Sequence, residues 1–195
     1  MIRAILCSAV LVVLLSPFLA LAQTAPSAEI FGGYQYFHAN SGISFSGFDN
    51  FSLNGWEGAL SGYFNRYVGI TGDFSGVYGS PSINIPPVGS ISIHTHMYTF
   101  MFGPTVRVAN ASPIQPFAHA LFGGAHLTGS VNIPVVGGSA SDSDTGFAWA
   151  AGGGLDFKAL PFLAVRVGQF DFVQTHIGGD NQNHFRYSAG VVLRF

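Results

Sequence analysis

An all-β fold, an eight-stranded up-and-down antiparallel transmembrane β-barrel, is the class this sequence predicts. Three observations lead there. The chain of 195 residues is 48% hydrophobic yet only 8% charged, against roughly a quarter charged in ordinary soluble domains. Beyond the amino-terminal leader, no apolar run approaches the ~20 residues of a membrane helix. The apolar residues instead recur at every second position, as on strands with one greasy and one polar face.

Taken in order, the first element is a leader. Arg3 gives a positive start, Ala4 to Leu15 an apolar run, and Leu19-Ala20-Leu21-Ala22 a small-residue cleavage site before Gln23. Residues 1–22 therefore read as a secretory signal peptide, and 23–195 as one barrel domain. Ser16 and Pro17 interrupt the apolar run, which makes an uncleaved membrane helix the weaker reading. The single cysteine, Cys7, lies in the leader. The mature chain is then expected to fold without disulfides or thiolate metal sites.

Eight alternating segments follow: Glu29–Asn40, Asn54–Phe64, Val68–Tyr78, His94–Val108, Pro116–Leu127, Thr145–Phe157, Phe162–Gln174 and His184–Phe195. In the second, Trp56, Leu60 and Phe64 oppose Glu57 and Ser61; in the third, Val68, Ile70, Phe74 and Tyr78 oppose Thr71, Asp73 and Ser75. In the sixth, Phe147, Trp149, Leu155 and Phe157 oppose Gly146, Ala148, Ala150, Gly152, Gly154 and Asp156. Large apolar groups out and an acid in is the expected pattern of lipid-facing strands around a lumen. The fifth segment carries large residues on both faces, so its phase stays open. In the seventh the pattern slips beyond Gly168, where a bulge is expected. The last runs Phe185, Tyr187, Ala189, Val191, Leu193, Phe195 against Arg186, Ser188, Gly190, Val192, Arg194. Its apolar face, with Tyr187, Val191, Leu193 and the closing Phe195, resembles the carboxy-terminal assembly signal of bacterial outer-membrane barrels.

The connections alternate in length. Residues 65–67, 109–114 and 158–160 are tight turns, whereas 41–53, 79–93, 128–144 and 175–183 are long and polar or rich in Gly, Pro and Ser. Short periplasmic turns and long external loops are the rule in outer-membrane barrels. A soluble eight-stranded barrel shares the strand count but carries a polar outer wall. On Phe31-Gly32-Gly33-Tyr34-Gln35-Tyr36, Phe102-Gly103-Pro104, Pro116-Phe117 with Gly123-Gly124, and Ser188-Ala189-Gly190 to Phe195, the chain resembles the OmpA/OmpX-type eight-stranded outer-membrane β-barrel domain. The resemblance covers the whole mature chain and implies a place in the bacterial outer membrane. It also implies the membrane lipid and the barrel-assembly machinery as partners. The sequence ends at its last strand, so the cell-wall tethering of full-length OmpA is not expected.

The lumen is expected to hold a charge network of Glu57, Asp73, Arg107, Asp156, Arg166, Arg186 and Arg194. Counting from the turns puts Glu57, Asp73 and Arg166 near mid-depth, Arg186 higher, and Arg107, Asp156 and Arg194 near the periplasmic mouth. At least one of Glu57 and Asp73 should pair with Arg166 or Arg186, because an uncompensated buried charge costs several kcal/mol. Such a network plugs the barrel; the alternative is a gate whose re-pairing opens a small ion or solute channel. Eight strands leave an interior that side chains nearly fill, which disfavours a wide pore. Trp56, Tyr98 and Trp149 are placed in an outer aromatic girdle, and Phe64, Tyr67, Phe157 and Phe195 in an inner one.

Other chemistry is thin. His38, His94, His96, His126, His176 and His184 map to external strand ends, with His119 alone mid-strand. His94-x-His96 has chelating spacing but no third ligand nearby, so no metal or cofactor is expected. His176, His184 and Ser188 have the depth of a lipid-modifying site but not its spacing, and there is no G-x-S-x-G elbow. The Gly123-Gly124 and Gly152-Gly153-Gly154 runs open no helix and precede no lysine, so they are not phosphate loops. The slight negative charge of −2 suggests no nucleic-acid partner. Residues 83–90 (INIPPVGS) and 131–138 (VNIPVVGG) share a proline-punctuated, β-branched pattern. They are read as strand extensions above the membrane, able to capture an extracellular protein or surface ligand by strand addition. The leading reading is a non-enzymatic envelope and surface-interaction protein. Deleting Phe195 is expected to lower the amount of folded protein in the outer membrane without raising a soluble pool; normal outer-membrane levels in a fractionated immunoblot contradict this.

Overall fold

A computed structural model describes residues 27–40, 50–80, 82–85, 89–108, 112–133, 138–177 and 180–195. The leader (residues 1–22) and much of the first external loop lie outside the described residues. The strands are β1 (Ala28–Asn40), β2 (Asn50–Tyr63), β3 (Val68–Gly79), β4 (Ser82–Ile85), β5 (Gly89–Arg107), β6 (Ile114–Ile133), β7 (Gly138–Leu160), β8 (Leu163–Ile177) and β9 (Asp180–Arg194). Neighbours pair antiparallel in the order β3-β2-β1-β9-β8-β7-β6-β5-β4, and β3 also pairs with β5. That last pairing closes an eight-stranded barrel, with β4 carrying the third crossing strand onward above Gly79. Closure is what lipid demands, since an open sheet edge would leave backbone amides unpaired in hydrocarbon.

The ends of the chain seal the seam. Ser27 N donates to Phe195 O (2.7 Å), and Phe195 N donates to Ala28 O (2.9 Å). On the same side, Asn65 shapes the β2–β3 turn: its Oδ1 accepts from Tyr67 N (2.8 Å) and Val68 N (2.9 Å). The bulge expected at Gly168 is present. Gly168 pairs with Leu155 and Arg166 with Asp156, so β8 slips by one residue against β7, and against β9 between Arg166 and Gln169. This slip reverses which parity faces inward, putting both Arg166 and Asp171 inside.

Beyond the eight barrel segments the strands continue outward, as read for 83–90 and 131–138, where the structure describes them. β5, β6 and β7 extend well past His94, Leu127 and Thr145. They pair up to Ser92↔Asn132 and Ile133↔Gly138, while β4 pairs with β5 from Ser82↔Ser92 to Ile85↔Gly89. Gly, Pro and Ser mark these stretches as loops, yet cross-strand pairing overrides local propensity. By contrast, β7 meets β8 only from Phe147↔His176 downward. Four strands therefore stand above the barrel as a sheet, and among the described residues the pairing of β7 with β8 begins only at Phe147↔His176, with Gly146 against the His176 carbonyl.

The wall is apolar outside: Leu60, Phe74, Phe102, Phe170 and Phe185 are all exposed on the lipid face. Inside, the lumen has two levels. The external half is filled by Phe37, Leu53, Val77, Met97, Met101, Leu121, Val173 and Ile177, with Ala125, Ala148 and Ala150 between them. The other half holds charge. The open phase of the fifth crossing strand (β6) is thereby explained, because Leu121 joins the inner apolar level while Phe122 faces lipid. Leu121→Ala should cost about 2–4 kcal/mol of folding stability through the cavity it leaves. Urea titration of the protein folded into vesicles measures this, and a loss under half a kcal/mol would show the upper lumen to be loosely packed.

Candidate functional site: the ion-paired lumen

Four arginines, Arg107, Arg166, Arg186 and Arg194, share the lumen with five carboxylates, Glu29, Glu57, Asp73, Asp156 and Asp171, all of them buried. They form two clusters. Near the periplasmic mouth, Glu29 Oε1 accepts from Arg107 Nη1 (2.5 Å) and lies 2.9 Å from Arg194 Nε. Arg194 Nη2 donates to Asp156 (3.2 Å) and its Nη1 to Gln115 Oε1 (2.5 Å). Asp156 also accepts from Arg166 Nε (2.9 Å). Tyr63 donates to Glu29 (3.1 Å), and the Arg107 guanidinium lies over its ring at 3.7 Å.

The second cluster centres on Arg186. Its Nη1 donates to Asp73 Oδ1 (2.8 Å), its Nε donates to Asp171 Oδ2 (2.7 Å), and Glu57 lies 3.7 Å away. Ser188 donates to Glu57, and His119 Nε2 lies 2.8 Å from Asp171 Oδ1. Gln169 joins the two clusters. Its amide nitrogen donates to Glu57 (2.8 Å) and Asp171 (2.7 Å), and its oxygen accepts from Arg166 Nη1 (2.7 Å). A cavity of about 10 Å³ remains between Glu57, Asp73, His119, Arg166 and Gln169, room for about one water. The lumen is closed by side chains.

Every expected network residue is buried in the lumen, and of the two arginines offered to Glu57 and Asp73 only one meets them. Arg186 pairs with Glu57 and Asp73, whereas Arg166 pairs with neither. Its guanidinium is held between the rings of Phe31 (4.3 Å) and Phe117 (4.0 Å) and points to Asp156. Counting along tilted strands misjudges such depth, because hydrogen-bonded rows climb around a barrel. Glu29, Gln115, His119, Gln169 and Asp171 were not among the residues expected in the network. Glu29 was legible as the lone acid on the inward parity of β1. Asp171 was hidden by the bulge.

The histidines divide. His184, near the external end of its strand, is buried in the lumen against Phe37 (5.0 Å) and 3.0 Å from Thr175 Oγ1. His176 is exposed and bonded to Asn181 (2.9 Å), so these two histidines and Ser188 do not converge. His94 lies 2.8 Å from Ser80, and His96 meets Tyr78 edge-on (5.4 Å between ring centres). Among the described residues, no three His, Cys, Asp or Glu side chains converge as metal ligands. On the outer wall Trp56 Nε1 donates to Tyr78, which donates to Tyr98, and Trp149 Nε1 donates to Gln174. Phe64, Tyr67, Phe157 and Phe195 are exposed on the same face at the other end.

A closed barrel, apolar outside and ion-paired inside, defines an outer-membrane protein, and comparison with known families agrees. The family profile described as outer membrane protein beta-barrel domain matches residues 8–195; the chain belongs to that family and resides in the bacterial outer membrane. Similar solved structures include Ail, the attachment invasion locus protein of Yersinia pestis. It is 18% identical, with a TM-score of 0.64 over 88% of this chain and 100% of that one. Neisserial surface protein A has 13% identity and a TM-score of 0.54 over 89% and 100%. OprG of Pseudomonas aeruginosa has 13% identity and a TM-score of 0.55 over 89% and 97%. At these identities the likeness is one of fold. No curated protein sequence matches the chain.

The geometry assigns partners, and a double-mutant cycle reads them. Arg186→Ala should cost about 3–5 kcal/mol, since it strands buried carboxylates, and Asp73→Ala should recover part of that loss. Arg166 should couple to Asp156 and not to Asp73. Coupling of Arg166 to Asp73 with none to Asp156 would reverse the assignment.

Proposed function

We propose that this protein is a non-catalytic surface barrel: the plugged cylinder anchors a rigid four-stranded sheet outside the cell, and that sheet binds a partner. The observation that carries this reading is the pairing of β4, β5, β6 and β7 above the point where β7 leaves β8. A strand edge that outruns its neighbour is a template for strand addition, and here an incoming strand would displace the Asp142 and Asp144 side chains that accept from Ser143 N and Thr145 N. The fold likeness to Ail, the attachment invasion locus protein, supports an adhesive role.

Charge narrows the partner. Beyond the leader, every Lys and Arg lies in the lumen or in the periplasmic turns, while Asp142, Asp144 and Asp180 lie on the external side. Ail has been crystallised with the heparin analogue sucrose octasulfate. An external surface without Lys or Arg offers no fixed cation to a sulfated ligand, so here a protein strand fits better than a polyanion. The aromatic bands around Trp56, Tyr98 and Trp149, and around Phe64, Tyr67 and Phe157, set the barrel's height in the bilayer. The terminal strand with Tyr187, Val191, Leu193 and Phe195 is the segment offered to the assembly machinery.

The filled lumen argues against the channel alternative. In planar bilayers the refolded protein should show no stable conductance, and a reproducible open level would favour transport instead. Cells displaying the protein should bind extracellular-matrix or serum proteins. Introducing proline at Ser143, on the β7 edge beyond β8, should reduce that binding severalfold while leaving the barrel's heat-modifiable gel mobility unchanged. Undiminished binding by this variant would sink the edge as the docking surface.

A further inference from the structure

The lipid-facing wall is not smooth. Across β1, β9 and β8 the outward residues form two rows, Tyr36–Tyr187–Phe170 and His38–Phe185–Phe172, each aligned by backbone pairing. Between them lies a groove of about 290 Å³, near the lower bound of small-ligand sites at about 300 Å³. Phe170 and Phe185 project furthest, at 67% and 65% exposed. The ring of Tyr187 leans on Phe170 (4.9 Å), and Phe172 packs against both Phe185 (5.9 Å) and Trp149 (5.6 Å). Asp171 and Arg186 also line the groove. Their side chains are buried in the lumen, so they contribute only backbone, and the floor is the back of the Arg186 ion pair.

The Tyr187 hydroxyl is spent on Val167 O (3.0 Å), and the other polar side-chain atoms of the lining gather at one end, toward the external rim. There Tyr36 Oη lies 2.7 Å from Ser52 Oγ, and His38 Nδ1 lies 3.4 Å from the same oxygen. The groove is thus aromatic along its length with hydroxyl and imidazole donors at its head, and no Lys or Arg lies on the described outer face of these strands.

We propose that this groove retains one acyl chain of a phosphorylated outer-leaflet lipid, whose phosphate oxygens accept hydrogen bonds from the Tyr36–Ser52–His38 group. The groove is continuous with the lipid-facing wall, so a hydrocarbon chain is already its medium. The backbone of β1, β9 and β8 is fully engaged in the registers around it, which leaves no edge for a peptide strand. A lipid has the required shape, apolar along its length and polar at one end. The inference rests on the fold alone and stands whether or not the protruding sheet is adhesive.

Trp149, beside Phe172, is the reporter. The chain has two tryptophans, so Trp56→Phe leaves it alone. This variant is folded into nanodiscs of the phosphate-free glycolipid digalactosyl diacylglycerol containing increasing fractions of chain-brominated phosphatidylglycerol. A retained chain makes quenching rise above the mole-fraction line, with preferential association of about fivefold, the scale of one or two aromatic contacts. Phe170→Ala/Phe185→Ala, which alters only exposed rings, should return the curve to the line. Phe74→Ala/Phe100→Ala, on the β3–β5 wall, should not. Brominated diacylglycerol, which lacks the phosphate, should lose the excess; equal retention of both lipids overturns the head-group assignment. Linear quenching in the Trp56→Phe protein overturns the proposal without needing any groove variant. Quenching that falls as protein density in the disc rises also overturns it, because a second copy would then be the occupant.

Discussion

In hydrocarbon there is no water to satisfy a backbone amide, so a sheet can cross only if it closes on itself. Closure with eight strands fixes a narrow interior that side chains nearly fill. Everything distinctive in this protein follows from how that small volume is occupied. Four guanidinium groups enter it, and each must find carboxylate or amide oxygens inside the wall, because breaking a buried pair is costly. Glu29, Glu57, Asp73, Asp156 and Asp171 supply the charge, and Gln169 ties the two clusters into one body. The plug is therefore the consequence of putting arginines inside an eight-stranded wall.

The same constraint accounts for the two levels of the lumen. Charge sits in the periplasmic half, where Arg107 also reaches the turn carbonyl of Arg66 (3.2 Å). The external half is sealed by Phe37, Leu53, Met97, Met101 and Leu121. An apolar lid over an ionic floor keeps water from threading the barrel from either side. A water-filled pore would need both levels to part together. The arrangement fits a support for external structure far better than it fits a conduit.

Much of this was legible in the residues. Period-2 alternation placed every crossing strand, because lipid outside and lumen inside impose opposite chemistry on successive positions. It also placed Glu57, Asp73, Arg107, Asp156, Arg166, Arg186 and Arg194 inside. The partners of Arg166 were not legible. Its position depends on the bulge at Gly168 and on Phe31 and Phe117, aromatic residues that face inward to hold a guanidinium. Alternation alone treats such residues as lipid-facing. The extra length of β5, β6 and β7 was legible only in the β-branched pattern of 83–90 and 131–138; elsewhere Gly, Pro and Ser mark loops until a neighbouring strand pairs with them.

The distribution of charge ties the halves of the molecule together. All the cations of the barrel are spent on the lumen and the periplasmic turns, so the outer rim holds position with Tyr, Trp, His and Asn instead. Those side chains bond to one another across strands: Tyr34 to Asn54, Trp56 to Tyr78 to Tyr98, His126 to Thr145, Gln174 to Asn183. Cross-strand pairs of this kind stiffen the rim where the barrel ends and the free-standing sheet begins. A rigid rim matters because β4 to β7 continue past it without β8 to brace them. The sheet inherits its register from the barrel below, and the barrel keeps that register because its lumen is locked. Ion pairs near the periplasmic side thus help to fix the geometry of an edge far outside the membrane.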